Sequence, residues 1–146
     1  MWKGAGSKTS LAVFSNCSFI SAKYISSDRS IDGRRVEFVP GLIAKAGLSF
    51  RRKKFAASYQ FSYTANQFTD ATNASFTDNA IDGGIPSYII MDISAEYMFD
   101  KRWSLSFSIN NLANAVYFTR RADSYPGPGI VPADARSFYL TAQFRL

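Results

Sequence analysis

Arg120 and Arg121 stand side by side with Tyr117 and Tyr125 close in sequence, and these four are the residues best suited to hold a ligand. Planar guanidinium groups pair with carboxylates through two parallel hydrogen bonds, so such a group suits a carboxylate-rich anion. Loop arginines are also commonly solvated and contribute little, and Arg29, Arg34 and Arg35 carry the same two readings. A second constellation is Asp92 with Glu96, four apart on a stretch that alternates with period two. That spacing separates their Cα atoms by ~13 Å along a strand, too far for an acid–base pair. The run Arg51 to Lys54 followed by "FAASYQFSY" has the composition of a single-strand nucleic-acid platform. Such a platform needs its rings and cations on one face, whereas here the rings alternate onto a charge-free face and the cations fall in a turn. Cys17 is the one cysteine and is expected to be a small buried hydrophobe. No histidine is present, which removes the commonest metal ligand and general base. Neither a zinc pattern, a nucleotide-binding glycine pattern nor a nucleophile elbow occurs, so no enzyme, cofactor or metal site is expected.

The elements that would position these residues are strands. Thirteen Phe and eight Tyr favour pleated surfaces, and five stretches alternate cleanly. Leu42, Ala44, Ala46, Leu48 and Phe50 share a face, as do Phe55, Ala57, Tyr59, Phe61 and Tyr63. Ile89, Met91, Ile93, Ala95, Tyr97 and Phe99 do the same, followed by Trp103, Leu105, Phe107 and Ile109. Phe138, Leu140, Ala142, Phe144 and Leu146 close the series. Each of these faces is uncharged, while Lys45, Gln60, Asp92, Glu96, Arg145 and many serines fall on the other. A sixth stretch, Leu11 to Tyr24, splits its apolar residues between both parities, and its facing stays open. The expected fold is an all-β antiparallel meander of about six long strands, near residues 9–25, 41–51, 54–68, 87–99, 102–112 and 137–146.

The connections alternate in length. "RRKK" and "DKR" are short, whereas the other three are long, polar and rich in turn residues. Soluble sandwiches have no reason to place every long loop at one end, but outer-membrane barrels do. Phe50, Phe55, Tyr97, Phe99 and Trp103 crowd the strand ends beside the short turns, where a membrane-interface girdle would lie. Strands of about ten residues, tilted by about 45°, cross ~23 Å, close to the ~25 Å apolar band of such barrels. Phe61, Ile93, Phe107, Leu140 and Phe144 are then lipid-facing. Six strands are too few to close a barrel, which needs about eight, so a larger barrel is implied. The alternative is a soluble basic β-domain binding nucleic acid or another anion, given a net charge of +6. The start "MWKGAGSKTS" does not read as a signal peptide.

Asn111, Leu112, Tyr117, a "YPGPG" loop and Arg136, spaced as they are before a final strand, resemble the C-terminal end of TonB-dependent outer-membrane receptors. The wording "YFTRRADSYPGPGIVPADARSFY", with "SYQFSYTANQFTDATN" and "DGGIPSYIIMDISAEY", is similar to the iron(III) dicitrate type. The resemblance covers about Leu11 to Leu146. It implies the last strands of a roughly 22-stranded barrel in the outer membrane of a Gram-negative bacterium. It also implies a ferric chelate as ligand, iron(III) dicitrate or another siderophore. The expected partners are outer-membrane lipid, the rest of the barrel and an N-terminal plug. Contact with TonB would come only through that missing N-terminal part, and no nucleic acid is expected. Departures from the pattern are Ala113, Asn114 and Ala115 after the Asn-Leu pair, Ala135 before the arginine, and Leu146 where a phenylalanine is usual.

Overall fold

The computed structural model describes residues 9–78, 81–124 and 128–145. All regular structure among them is strand: β1 (Thr9–Phe19), β2 (Leu42–Arg52), β3 (Phe55–Thr64), β4 (Gln67–Phe68), β5 (Gly84–Ile85), β6 (Tyr88–Met98), β7 (Trp103–Asn110), β8 (Phe118–Ala122), β9 (Gly129–Pro132) and β10 (Ser137–Phe144). Six of these form one antiparallel sheet in the order β1-β2-β3-β6-β7-β10, and β4-β5 and β8-β9 form two small hairpins. The alternation thus becomes an up-and-down meander in which each long strand pairs with its sequence neighbour among the long ones.

Register settles the first strand's facing. Leu11, Val13 and Phe19 lie opposite Phe50, Leu48 and Leu42, on the uncharged face. Phe14 lies opposite Gly47 on the other face. Its ring covers the glycine so closely that a Cβ there would sit 2.3 Å from the ring and 2.9 Å from the Tyr59 carbonyl oxygen. Gly47 is therefore required by close approach, with the aromatic ring covering a strand glycine.

Strand ends differ from the expected spans where pairing partners run out. β1 stops at Phe19, not near residue 25. Beyond it Ile20 N donates to Gly41 O, Val36 N to Ala22 O and Tyr24 N to Arg34 O around a bridge of Lys23 to Arg35, a ribbon that lies outside the six-stranded sheet. The third span, expected to run to 68, ends at Thr64; Gln67 and Phe68 leave the sheet to pair with Ile85 and Gly84. β10 ends at Phe144, and Leu146 lies outside the described residues. The long connections are also more ordered than turn-rich loops, since two of them carry the hairpins β4-β5 and β8-β9.

Among the described residues no second layer covers the sheet. The chain exposes 10620 Å², whereas a compact 16.2 kDa monomer would expose about 7,500 Å². The one fully buried apolar side chain among the described residues is Ile85, in the loop layer and not in the sheet. Cys17, expected to be buried, is exposed on the uncharged face of edge strand β1, because nothing packs over that face.

Candidate functional site

The sheet has two chemically distinct faces, and cross-strand register builds both row by row. On one, Leu11, Phe50, Ala57, Ala95, Phe107 and Leu140 form a continuous row across all six strands. The next row is Val13, Leu48, Tyr59, Ile93, Ile109 and Phe138. Phe61 sits beside Ala46 and Met91 one row further on. Leu140 is 70% exposed and Phe107 41%, values that an ordinary soluble sheet face would not keep across every row. Burying such a face against protein or lipid recovers roughly 25 cal/mol per Å² of apolar area.

The opposite face carries a serine row. Ser49, Ser58, Ser94 and Ser108 are cross-strand partners in succession, and the Ser58 and Ser94 hydroxyls lie 2.7 Å apart. Gln60 pairs with Asp92 and with Gly47 in the next row, and Glu96 pairs with Ala56 and Ser106 on the far side. Asp92 and Glu96 thus occupy separate rows. Asp92 Oδ1 accepts a hydrogen bond from Asn111 N at 2.9 Å, a structural role.

At the short-turn end the aromatic residues converge on the uncharged face. Phe50 and Phe55 rings lie 6.3 Å apart, Tyr97 and Phe99 5.1 Å in an edge contact, and Trp103 and Phe144 4.7 Å. Phe144, expected among the lipid-facing residues, stands in this belt through its pairing with Trp103. The two short turns are stitched together: Met98 N donates to Lys54 O at 2.8 Å, and Lys54 Nζ donates to the Phe99 carbonyl. Asp100 Oδ1 accepts from Arg102 N and Trp103 N at 2.7 and 2.8 Å. Those two bonds hold its carboxyl below the usual aspartate range, with nearby Lys54 adding to the effect.

The other end carries the loop layer. Asn111 terminates β7 with φ of 52°, a left-handed conformation that asparagine tolerates better than most residues. Its side chain is buried and saturated: Nδ2 donates to Ala115 O and Asp134 O, and Oδ1 accepts from Ala115 N. Leu112 N donates to Met91 O, and Asn114 Oδ1 accepts from Arg136 N, so the motif residues Asn111, Leu112 and Arg136 belong to one knot. Asn114 departs from the pattern yet caps the entry to β10. Tyr117, the fourth motif residue, stacks on Tyr88 with ring centroids 4.7 Å apart. Burial, followed by the nearby Tyr88, Asp134 and Asp92, pushes its phenol above the ordinary value.

Of the four candidate ligand residues, Tyr117, Arg120 and Arg121 lie in the described part and take up different surroundings. Arg121 turns inward, where Nη2 donates to Gly84 O at 3.2 Å and the guanidinium lies 5.4 Å from the Phe118 ring centroid. Gly83, at φ of 136°, leaves it that room. Arg120 is exposed, and Tyr125 lies outside the described residues. In the first loop Arg35 is likewise engaged, over the Phe68 ring at 5.8 Å and joined to Asn73 through its backbone. Sequence reading missed the partners that make these loops a layer, Tyr88, Gly84, Phe118 and Asn73. Each is far away in the chain, and no local pattern marks it. Among the described residues no cluster of three or more His, Cys, Asp or Glu is placed to hold a metal ion.

Comparison with known proteins places this arrangement. The family described as "TonB dependent receptor-like, beta-barrel" matches residues 2–112. A search of curated proteins returned no sequence match. Among solved structures, the unliganded ferric citrate transporter FecA superposes with a TM-score of 0.82 at 17% identity, covering 92% of this chain and 21% of that one. The siderophore receptor PiuA from Acinetobacter baumannii gives 0.72 at 20% identity over 92% and 19% of the two chains. The ferric-catecholate import receptor Fiu from K12 E. coli gives 0.72 at 16% identity over 92% and 18%. The chain therefore spans about a fifth of the length of the structures it resembles. With three quarters of its residues inside the family match and its meander superposing on the same barrels, the chain belongs to the TonB dependent receptor-like β-barrel family.

Proposed function

We propose that this chain forms six adjacent wall strands at the C-terminal end of an outer-membrane receptor barrel that binds a ferric chelate and imports it. The observation that carries this reading is the uncovered apolar face, unbroken across six strands and bordered at the short-turn end by paired aromatic rings. Lipid is the apolar phase that such a face requires, because none of the described residues forms a second layer over it. The polar face meets a wet lumen, where the serine row, Asp92 and Glu96 cost little. Among the described residues β1 and β10 each pair on one side only. In hydrocarbon their outer N–H and C=O groups must find further strands of the barrel. The function is binding and transport in the outer membrane of a Gram-negative bacterium, with a plug and TonB as partners of the whole receptor.

For the ligand, iron(III) dicitrate or another siderophore fits the loop chemistry through Arg120, which is exposed at the loop end on β8. Arg121 and Tyr117 serve the same site by holding the loop layer in shape, and Tyr125 follows Arg120 in the same connection. FecA transports ferric citrate and Fiu imports ferric catecholate, so related barrels carry different chelates.

The test of the membrane reading is the state of the 146-residue chain in buffer and in detergent. The expected result is aggregation in buffer and a dispersed, β-rich species in micelles. A monodisperse monomer in buffer with cooperative unfolding would overturn the reading and favour a soluble basic β-domain.

A further inference from the structure

The chain's positive charge is not spread evenly. The three long connections, residues 20–41, 65–87 and 111–136, carry seven basic and eight acidic residues. The short-turn end carries Arg52 at the end of β2, Lys53 and Lys54 of the first turn, Lys101 and Arg102 of the second, and Arg145 after β10. All six are exposed. Spatial continuity follows from the backbone: Met98 N donates to Lys54 O, and Arg145 N to Arg102 O. The one acidic residue in these two turns, Asp100, spends Oδ1 on the Arg102 and Trp103 amides. With strands ~4.8 Å apart, the cations form a strip roughly 20 Å wide across five strands.

Directly beneath that strip, on the uncharged face, lies the aromatic belt of Phe55, Tyr97, Phe99, Trp103 and Phe144. Amphipathic rings settle at the headgroup level. Lys54, Arg102 and Arg145, one residue beyond Phe55, Trp103 and Phe144, are therefore held at the height of lipid phosphates, and Arg52, the cross-strand partner of Phe55 on the same face, can lay its apolar stem along the rings and reach upward. A purely solvated turn has no need of six like charges, which repel one another unless an anion is present.

We propose that the short-turn end is a docking surface for anionic phospholipid, with Arg52, Lys53, Lys54, Lys101, Arg102 and Arg145 binding headgroup phosphates above the aromatic belt. The proposal rests on the membrane reading and adds a lipid preference to it. Each cation near an anionic surface is worth about fivefold in partitioning, screened by salt.

The experiment delivers the full chain, with Trp2→Phe so that Trp103 alone reports, to vesicles of phosphatidylcholine or of phosphatidylcholine mixed with phosphatidylglycerol. The expected result is at least tenfold stronger partitioning to the anionic vesicles at low salt, abolished by salt near 0.5 M, where the Debye length falls to about 4 Å. The triple variant K53Q/K101Q/R102Q is expected to weaken that preference at least tenfold while binding phosphatidylcholine as the parent does. Equal partitioning of the parent to both vesicles, with Trp103 still quenched by brominated lipid, would overturn the lipid preference and leave the membrane reading standing. Binding to neither vesicle would overturn both. A single-stranded oligonucleotide that displaces the chain from anionic vesicles at matched phosphate concentration would also overturn the proposal, because the surface would then be a general polyanion site.

Discussion

At the scale of single residues, Asn111 shows best how a recognisable motif acquires a physical role. Its type and position in "INNLANAVY" are readable from the sequence, but its work is visible only in three dimensions. One side chain satisfies Ala115 twice and Asp134 once, while its own amide is taken by Asp92. Alanine would lose three hydrogen bonds and still be forced to φ of 52°. Asn111→Ala is expected to cost about 2–4 kcal/mol, the sum of unsatisfied buried groups and left-handed strain. Earlier cleavage within residues 111–136 during limited proteolysis in detergent would register that loss. Arg121 teaches the opposite lesson. Its pairing with Arg120 suggests a joint anion site, yet consecutive strand residues point to opposite sides, and the structure spends Arg121 on Gly84 and Phe118. Ligand chemistry and loop architecture use the same residue type, and sequence spacing does not separate them.

At the scale of elements, the long strands were legible because a period of two has one physical meaning when the faces differ so sharply. Their ends were not, because β1 stops where β2 no longer supplies partners and β3 stops where Gln67 turns to Ile85. Facing predicts energetics directly. Ile93→Lys, at mid-strand on the uncharged face, is expected to destabilise the membrane-folded protein by about 2–4 kcal/mol, whereas Ser94→Lys next to it should cost about 1 kcal/mol, the worth of its hydrogen bond to Ser58. Urea titration of lipid-folded protein would check both. The first long loop makes a pH prediction. Tyr24 donates to Glu37 Oε2 at 2.5 Å, which raises the phenol above 10.0 and lowers the carboxyl below 4.5. A lowered carboxyl stabilises above its unfolded value and stops doing so as pH falls through its folded value. A raised phenol stabilises below its unfolded value and stops as pH rises through its folded one. The tie should therefore be fully present between about pH 4.5 and 10 and be lost further out, as pH falls through the lowered carboxyl value or rises through the raised phenol value. Hydrogen exchange at Tyr24 and Val36, normalised for intrinsic rates, should show protection confined to that window, and Tyr24→Phe should remove the window.

At the scale of the whole molecule, the chain makes sense as a wall and not as a globule. Its exposed area, its apolar face and its two unpaired edges all exceed what a soluble unit of this size can carry. Composition contributed the strand class and the charge, but the concentration of cations at one end required the fold, since Arg52, Arg102 and Arg145 are far apart in sequence. The central claim is that one face of the sheet meets hydrocarbon and the other meets water. Single tryptophans placed in turn at positions 91 to 95 of β6, in a Trp2→Phe, Trp103→Phe background and in brominated detergent, test it most directly. Strong quenching at 91, 93 and 95 with weak quenching at 92 and 94 is the predicted result. Uniform quenching, or none at any of the five positions, would contradict it.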